Sequence, residues 1–160
     1  MKARSIAITL IVWLALMASL ACGNGDQGRF EQSGYTECSE CNLANADLRN
    51  LRYVDNVRVD LYWANLSGAN LSGANLNIAG LRRADLSGAD LSGANLTSAD
   101  LSGADLSGAN LTSADLAYAY LIGANLTDAD LTDTDLAGAN LKYVIGADFS
   151  GAQNVPGKYL

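Results

Sequence analysis

Apolar and polar residues recur along most of this chain with a period of five, and leucine marks the apolar position. Alanine stands two residues before each of these leucines, except at Val59 and Thr134. Aspartate or asparagine stands directly before each leucine, except at Gly80 and Tyr120. The repeating unit is therefore Ala-(Asp/Asn)-Leu-(Ser/Thr)-Gly. The unbroken series contains seventeen leucines: Leu61, Leu66, Leu71, Leu76, Leu81, Leu86, Leu91, Leu96, Leu101, Leu106, Leu111, Leu116, Leu121, Leu126, Leu131, Leu136 and Leu141.

A period of five fits neither an α-helix nor a flat β-strand. On a helix, successive leucines would lie about 140° apart and would spread around the whole cylinder. On a strand, an odd spacing sends alternate leucines to opposite faces. All of them are buried only if the chain bends at every pentad, so that each short side points its leucine inward. Gly, Ser, Asn and Asp at the other positions favour such tight bends.

Pentads such as Ala69-Asn70-Leu71-Ser72-Gly73 and Ala89-Asp90-Leu91-Ser92-Gly93 resemble those of the pentapeptide-repeat family. The resemblance implies an all-β fold, a right-handed quadrilateral β-helix with four pentads per coil. At four pentads per coil the chain predicts a solenoid of about five to six coils, which are stabilised by stacking on one another. The resemblance also implies that the leucines fill the axis and that the small alanines point inward beside them.

The repeat changes register once near each end of this region. Leu43 and Leu48 share one phase, and Leu51 begins the main phase three residues later. At the other end, Phe149 follows Leu141 after eight residues rather than five or ten. We expect both changes to form bulges near the ends of the solenoid, where an unpaired β-edge needs protection.

The first 21 residues have the layout of a bacterial signal peptide. Lys2 and Arg4 precede an uncharged apolar run over residues 5–21 that ends in small residues. Two cleavage sites are compatible with it. Residues 19–21 fit ordinary signal peptidase, whereas Cys22 and the polar stretch after it resemble a bacterial lipoprotein junction, in which Cys22 is lipidated. Ser19 departs from the lipoprotein pattern, which favours leucine at that place.

The remaining boundaries follow from composition. Residues 22–37 are predicted to be a flexible tether, because they contain too little apolar surface to form a core. Residues 38–154 are predicted to form the β-helix, and residues 155–160 a C-terminal tail too short for a capping helix. We expect Tyr159 and Leu160 either to fold over the last coil or to pair with a second copy of the chain.

Cys38 and Cys41 lie where the first coil begins. In an exported protein, their spacing favours a small disulfide that fixes the N-terminal end, with free thiols as the alternative. A catalytic dithiol of the thioredoxin type would require a βαβ setting, which the pattern does not predict. A zinc site would need two further ligands, and the chain has no histidine.

Large and cationic side chains are concentrated in one of the four columns that four pentads per coil create, and at the edge beside it. We interpret them as an interaction surface, because interfaces favour Tyr, Trp and Arg. The alternative is that the cations only stack on neighbouring aromatic rings or interrupt ladders of carboxylates. The predicted surface consists of Tyr62, Trp63, Asn77, Ile78, Arg82, Arg83, Tyr118, Tyr120, Ile122, Lys142 and Tyr143.

The net charge of −7 argues against a nucleic-acid partner, which would require clustered Lys and Arg. The absence of histidine and of paired buried carboxylates predicts neither an enzyme nor a metal site. No cofactor is predicted either. Single aspartates at every fifth or tenth residue lack the convergent oxygens that calcium prefers.

These observations predict a non-catalytic, envelope-tethered interaction or scaffold module with an unknown protein partner. It is expected to be exported and anchored as a membrane lipoprotein in the periplasm or at the cell surface, and otherwise to be secreted. One alternative is a structural spacer or self-associating rod, including a homodimer formed through the C-terminal end. The family resemblance implies another, because some members mimic DNA and protect DNA gyrase, but that role requires a cytoplasmic protein.

Overall fold

The structure is a computed structural model and describes residues 42–45, 48–49 and 58–159. The predicted signal peptide over residues 1–21 and the tether over residues 22–37 lie outside these residues. Cys22, Cys38 and Cys41 lie outside them as well, so lipidation and the disulfide stay predictions.

Parallel bridges between residues twenty positions apart organise the whole repeat region. One ladder runs from Asp60 through Gly80, Asp100 and Tyr120 to Asn140. Three further ladders begin at Asn65, Asn70 and Asn75, and each bridge joins single residue pairs rather than extended strands. Twenty residues are four pentads, so each coil has four sides. The ladders therefore match the periodicity predicted from the leucines.

Successive coils stack into four faces, which are defined by the pentads that they contain. Face 1 contains the pentads of Leu61, Leu81, Leu101, Leu121 and Leu141. Face 2 contains those of Leu66, Leu86, Leu106 and Leu126. Face 3 contains those of Leu71, Leu91, Leu111 and Leu131. Face 4 contains those of Leu76, Leu96, Leu116 and Leu136.

Backbone hydrogen bonds join each coil to the next and close the turn at each corner. Leu66 N–H donates to the Asp85 carbonyl at 2.7 Å, and Asp85 N–H donates to the Ala64 carbonyl at 2.9 Å. At each corner an alanine N–H donates to the carbonyl of the leucine three residues before, as Ala69 does to Leu66 at 2.9 Å. The second residue after each leucine has a positive φ, as type II turns require. Gly93, with φ of 63°, is one of the glycines at this position.

The aspartate or asparagine before each leucine stabilises the turn that follows. Asp85 Oδ1 accepts hydrogen bonds from Ser87 N–H at 3.0 Å and from Ser87 Oγ at 2.6 Å. Asn65 binds Ser67 in the same way. The sequence predicted only that these residue types tolerate bends, whereas the structure gives each an acceptor role within its own pentad. The conserved chemistry of the position is the Oδ1 atom, which both residue types possess.

The core consists of the repeat leucines and the alanines beside them. All seventeen leucines are buried, with at most 3% of their surface exposed. Val59 is buried in place of alanine, and so is Thr134, whose hydroxyl donates to the Leu111 carbonyl at 2.8 Å. That hydrogen bond satisfies the one polar group that the substitution of alanine by threonine brings into the interior.

The N-terminal register change adds three residues to a coil. Asn42 pairs with Asn65 across 23 residues, whereas Asn65 pairs with Asp85 across 20. Leu48 N–H bonds to the Asn70 carbonyl in the same shifted register. Leu43 and Leu48 are buried, so they continue the core despite the shift. The predicted start of the main phase at Leu51 lies outside the described residues.

The C-terminal register change removes two residues from a coil. Asn125 pairs with Ile145 across 20 residues, whereas Asp135 pairs with Gln153 across 18. Phe149 is partly buried against the core and takes the place of the leucine that the repeat would supply. The shortened coil explains why Phe149 follows the last leucine after eight residues instead of ten.

The C-terminal tail folds back on the last coil. Val155 and Tyr159 are partly buried against the core. A single 3-10 turn forms at Gly157–Tyr159, where the sequence predicted no capping helix. The Tyr159 hydroxyl reaches Asn140 Oδ1 at 3.4 Å. The tail therefore adopts the first of the two arrangements expected for it, while Leu160 lies outside the described residues.

Candidate functional site

Face 1 differs in charge from the other three faces. Between Val59 and Tyr143, every cationic residue stands on face 1. With two carboxylates on the same face, its formal charge is +1, whereas faces 2, 3 and 4 carry −3, −3 and −2. The residues counted are Arg82, Arg83, Lys142, Asp60 and Asp100 on face 1; Asp85, Asp105 and Asp128 on face 2; Asp90, Asp130 and Asp133 on face 3; and Asp115 and Asp135 on face 4.

A first cluster, which we call the cationic patch, comprises Tyr62, Trp63, Arg82 and Arg83. The rings of Tyr62 and Trp63 meet edge to face, with centroids 5.8 Å apart and planes at 85°. The Arg83 guanidinium carbon lies 4.9 Å from the centroid of the Trp63 ring, within cation–π range. Arg82 Nε lies 3.7 Å from Asp100 Oδ2. Trp63 nevertheless keeps 46% of its surface exposed, so the patch is accessible.

A second cluster, the tyrosine patch, lies towards the C-terminal end and comprises Tyr118, Tyr120, Ile122, Lys142 and Tyr143. Tyr118 is 65% exposed and Tyr143 is 70% exposed. Lys142 Nζ lies 4.5 Å from the centroid of the Tyr143 ring. All five residues keep large exposed surfaces on face 1 or at its corners, so they form a second accessible group of side chains.

The Tyr118 ring rests against Gly138 in the next coil. A Cβ atom at Gly138 would come within 2.7 Å of Tyr118 Cδ1. Gly138 thus leaves room for the ring at the corner that leads into face 1.

A narrow strip of smaller side chains separates the two patches. In the third coil, face 1 carries Asp100, Ser102 and Gly103. With about 4.8 Å between coils, the patches are roughly 10 Å apart along the axis. The single surface expected from the sequence is therefore divided into two parts of different chemistry.

Asn77 and Ile78 stand on face 4, at the corner before face 1. Ile78 is exposed there, whereas Asn77 N–H bonds within its own turn to Asn75 Oδ1. Ile145 is 59% exposed and stands on face 2 beyond the tyrosine patch, and the sequence analysis missed it. The signal was an apolar residue at an Asp/Asn position, which is visible only once the bridge to Asn125 fixes the register.

Several patch residues occupy the corner position that has a positive φ. Trp63, Arg83, Tyr118 and Tyr143 have φ between 57° and 64°. Glycine adopts this region freely, whereas other residues cost about 1 kcal/mol or more. Folding alone would therefore favour glycine at these corners. β-branched Ile78, with φ of 55°, is the least expected residue at such a corner.

The anionic side of the rod holds its charge through hydrogen bonds. The Thr132 hydroxyl and backbone N–H lower the pKa of Asp130, and those of Ser150 lower the pKa of Asp148. The Asn154 side chain, followed by the Ala137 N–H, lowers the pKa of Asp135. These carboxylates are therefore ionised at neutral pH, which sharpens the contrast with face 1.

Two other kinds of site were searched for in residues 42–45, 48–49 and 58–159. Across these ranges, no cluster of three or more His, Cys, Asp or Glu side chains could hold a metal ion. No helix in the same ranges is long and apolar enough to cross a membrane.

Comparison with known proteins identifies the repeat. The family described as Pentapeptide repeats matches in 8 copies over residues 57–93, 79–112 and 109–152, more than half of the chain. The chain belongs to the pentapeptide-repeat family. Pentapeptide-repeat proteins form right-handed quadrilateral β-helices and are generally non-catalytic structural or interaction proteins. The 20-residue ladders are those of this fold.

Solved pentapeptide-repeat structures resemble the chain to different extents. Rfr23 from the cyanobacterium Cyanothece 51142 is 34% identical with a TM-score of 0.63, and the match covers 81% of this chain and 95% of that one. HetL from Nostoc sp. PCC 7120, involved in heterocyst differentiation regulation, is 44% identical with a TM-score of 0.48, covering 68% and 46%. QnrB1, a plasmid-mediated fluoroquinolone resistance protein, is 21% identical with a TM-score of 0.33, covering 66% and 63%. A search among curated proteins finds no match.

Proposed function

We propose that this pentapeptide-repeat protein is a non-catalytic interaction module tethered in the bacterial envelope, and that face 1 is its partner surface. The observation that carries the proposal is the segregation of charge and aromatic residues. Face 1 holds every cation between Val59 and Tyr143 and most of the exposed aromatic rings, on a rod whose other faces are anionic. Exposed clusters of aromatic and arginine side chains are typical of contact surfaces.

The backbone supports the same interpretation. Four corners beside or on face 1 carry Trp63, Arg83, Tyr118 and Tyr143 at positive φ, where glycine would be more stable. Cation–π stacking within the patches offsets part of this cost, and that contribution is about 0.5–1 kcal/mol at exposed sites. Retention of bulky residues at strained, exposed corners is more readily explained by contact with a partner than by folding.

The test uses the repeat's own consensus residues. A variant with Trp63→Gly, Arg82→Ser, Arg83→Gly and Tyr143→Gly replaces the surface while restoring the usual corner residues, so we expect it to fold. A photo-reactive residue at position 120 on face 1 should cross-link to a partner in intact cells in the native background. The cross-link should disappear in the variant.

The matched control carries the photo-reactive residue at position 112 on face 3. A second control, Ser98→Gly with Ser113→Gly, makes consensus changes away from face 1. Cross-linking that is equal from positions 120 and 112, or unchanged in the face 1 variant, would contradict the proposal.

The envelope location is a proposal that rests on the N-terminal segment. A basic start, an apolar run over residues 5–21 and Cys22 support export followed by lipid attachment, with free secretion as the alternative. Lipid labelling and cell fractionation of the wild type and Cys22→Ala test it. We expect labelled, membrane-bound wild type and unlabelled variant; unlabelled, soluble wild type would contradict the anchor.

The anionic faces favour one second candidate. Faces 2, 3 and 4 present regularly spaced carboxylates, a charge pattern that suits a mimic of DNA. This role would apply only to a cytoplasmic protein. Cytoplasmic fractionation together with protection of DNA gyrase from a fluoroquinolone would support it, and recovery of the protein in the membrane fraction would exclude it.

A further inference from the structure

Face 1 combines cations and amphipathic aromatic side chains in a form that suits a lipid surface. We infer that face 1 docks on an anionic bilayer, so that the rod lies along the membrane to which its N-terminal segment holds it. The inference rests on the proposed function, because it assigns a partner class to the same face. A protein partner at face 1 is the competing outcome of the experiment below.

Charge complementarity selects the face. Anionic membrane surfaces attract nearby Lys and Arg, and the attraction decays within about one Debye length. Arg82, Arg83 and Lys142 lie on face 1, and Arg82 already lies near the carboxylate of Asp100. The carboxylates of face 3 lie on the opposite side of the four-sided coil, directed away from a surface that face 1 would contact. Any other orientation would bring an anionic face against anionic lipid.

The aromatic residues are those that membrane–water interfaces favour. Trp and Tyr accumulate at the level of the lipid headgroups, because their rings are apolar and their N–H or O–H groups remain hydrated. Trp63 projects from one end of face 1, and Tyr118, Tyr120 and Tyr143 project near the other end, all strongly exposed. Because the two patches lie about 10 Å apart along the axis, simultaneous contact would place the rod parallel to the surface.

The chain contains a built-in probe of this contact. Its two tryptophans are Trp13 and Trp63, and only Trp63 lies in the repeat region. In the full chain carrying Trp13→Phe, fluorescence therefore reports on Trp63 alone. The apolar N-terminal run or its lipid holds the protein on any vesicle, so the readout is the accessibility of Trp63 to acrylamide rather than binding itself.

The experiment compares vesicles of phosphatidylcholine alone with vesicles that also contain phosphatidylglycerol. On the anionic vesicles we expect a blue shift of Trp63 emission and lower quenching by acrylamide, both reversed by high salt. Arg82→Gln should weaken the protection by about fivefold, the contribution of one cation near an anionic surface. Arg49→Gln removes the same charge from the side of face 3 and should leave the protection unchanged.

Equal accessibility of Trp63 on both kinds of vesicle would overturn the inference. Equal effects of Arg82→Gln and Arg49→Gln would also overturn it, because the attraction would then not belong to face 1. Neither result decides the proposed function, since cross-linking from position 120 to a protein would still establish face 1 as a partner surface. The absence of both lipid protection and cross-linking would contradict both proposals.

Discussion

At the scale of single residues, each pentad divides its work among inward, capping and corner positions. Leucine and alanine fill the interior, the Asp/Asn Oδ1 atom binds the next turn, and the corner residue adopts a positive φ. The capping position explains why aspartate and asparagine alternate so freely, since both supply the same acceptor. Charge on the surface can therefore change without change in the turn.

Replacement of Asp85 tests the capping role. Asp85→Ala removes the acceptor of the Ser87 N–H and hydroxyl, so we expect the free energy of unfolding to fall by about 1 kcal/mol. Asp85→Asn keeps the acceptor and should change stability by less than about 0.5 kcal/mol. Urea denaturation of both variants provides the comparison. Equal destabilisation by Ala and Asn would show that the carboxylate charge, rather than the acceptor, is what matters.

Corner glycines test the backbone. Gly93 has φ of 63° and open space around its Cα, so Gly93→Ala isolates conformational strain from steric contact. We expect a loss of about 1 kcal/mol or more in the free energy of unfolding. Gly157→Ala, also in open space but without a positive φ, is the matched control and should be neutral or slightly stabilising. A stability loss of the same size at Gly157 would refute this explanation.

The inward residues could be predicted from the period of five, but the exceptions could not be explained from it. Gly80 breaks the Asp/Asn rule because Arg58 approaches within 2.7 Å of where its Cβ would be, in contact with Asp60. This contact depends on residues 20 positions apart, so no local pattern reveals it. Ile145 was missed for a similar reason, because only the coil register shows which position it occupies.

At the scale of the coil, stability depends on stacking, because a single coil cannot bury its own leucines from both sides. Both register changes were visible in the spacing of leucines. The structure adds their sizes, three residues gained at the Asn42 end and two lost before Gln153. The contact between the tail and Asn140 could not be predicted, since no repeat constrains the last residues.

Leucine truncation should show this dependence on stacking. Leu101 lies in the middle of the stack with no exposed surface, so Leu101→Ala should cost about 2–5 kcal/mol, the range for buried leucines. Leu43 keeps 6% exposure near the N-terminal end, where local opening is easier, so Leu43→Ala should cost clearly less. Urea denaturation of the two variants measures the difference. A larger cost at Leu43 would contradict the stacking argument.

The last coils should also determine the response to acid. The pKa values of Asp130, Asp135 and Asp148 are lowered below 3.8 by hydrogen bonds that exist only in the folded state. Their contribution to stability is present above the unfolded value of 3.8 and is lost as the pH falls through the lower folded values. We therefore expect the free energy of unfolding to fall once the pH drops below about 4.

A triple variant isolates this contribution. Asp130→Asn, Asp135→Asn and Asp148→Asn keep the acceptor oxygens but cannot be protonated in this range. The slope of stability against pH below about 4 should therefore be shallower than in the wild type. Chemical denaturation of both proteins across this range measures it, and identical slopes would assign the acid response to other groups.

At the scale of the whole molecule, the four-sided coil converts a sequence pattern into a separation of charge. Residues 20 positions apart become neighbours, so cations scattered along the chain come together on face 1. The sequence predicted this column, because four pentads per coil fix which residues share a side. It did not predict the division into two patches, which depends on the small side chains of Ser102 and Gly103 between them.

The central claim is that residues 20 positions apart are closer in space than residues 10 positions apart. Spin labels at Ser92→Cys and Thr112→Cys, with the native cysteines replaced by serine, should report adjacent coils on face 3, about 5 Å apart in the backbone. Labels at Ser92→Cys and Ser102→Cys lie on opposite faces and should be further apart. Dipolar electron paramagnetic resonance distances in that order would support the account, and a shorter distance for the 92–102 pair would contradict it.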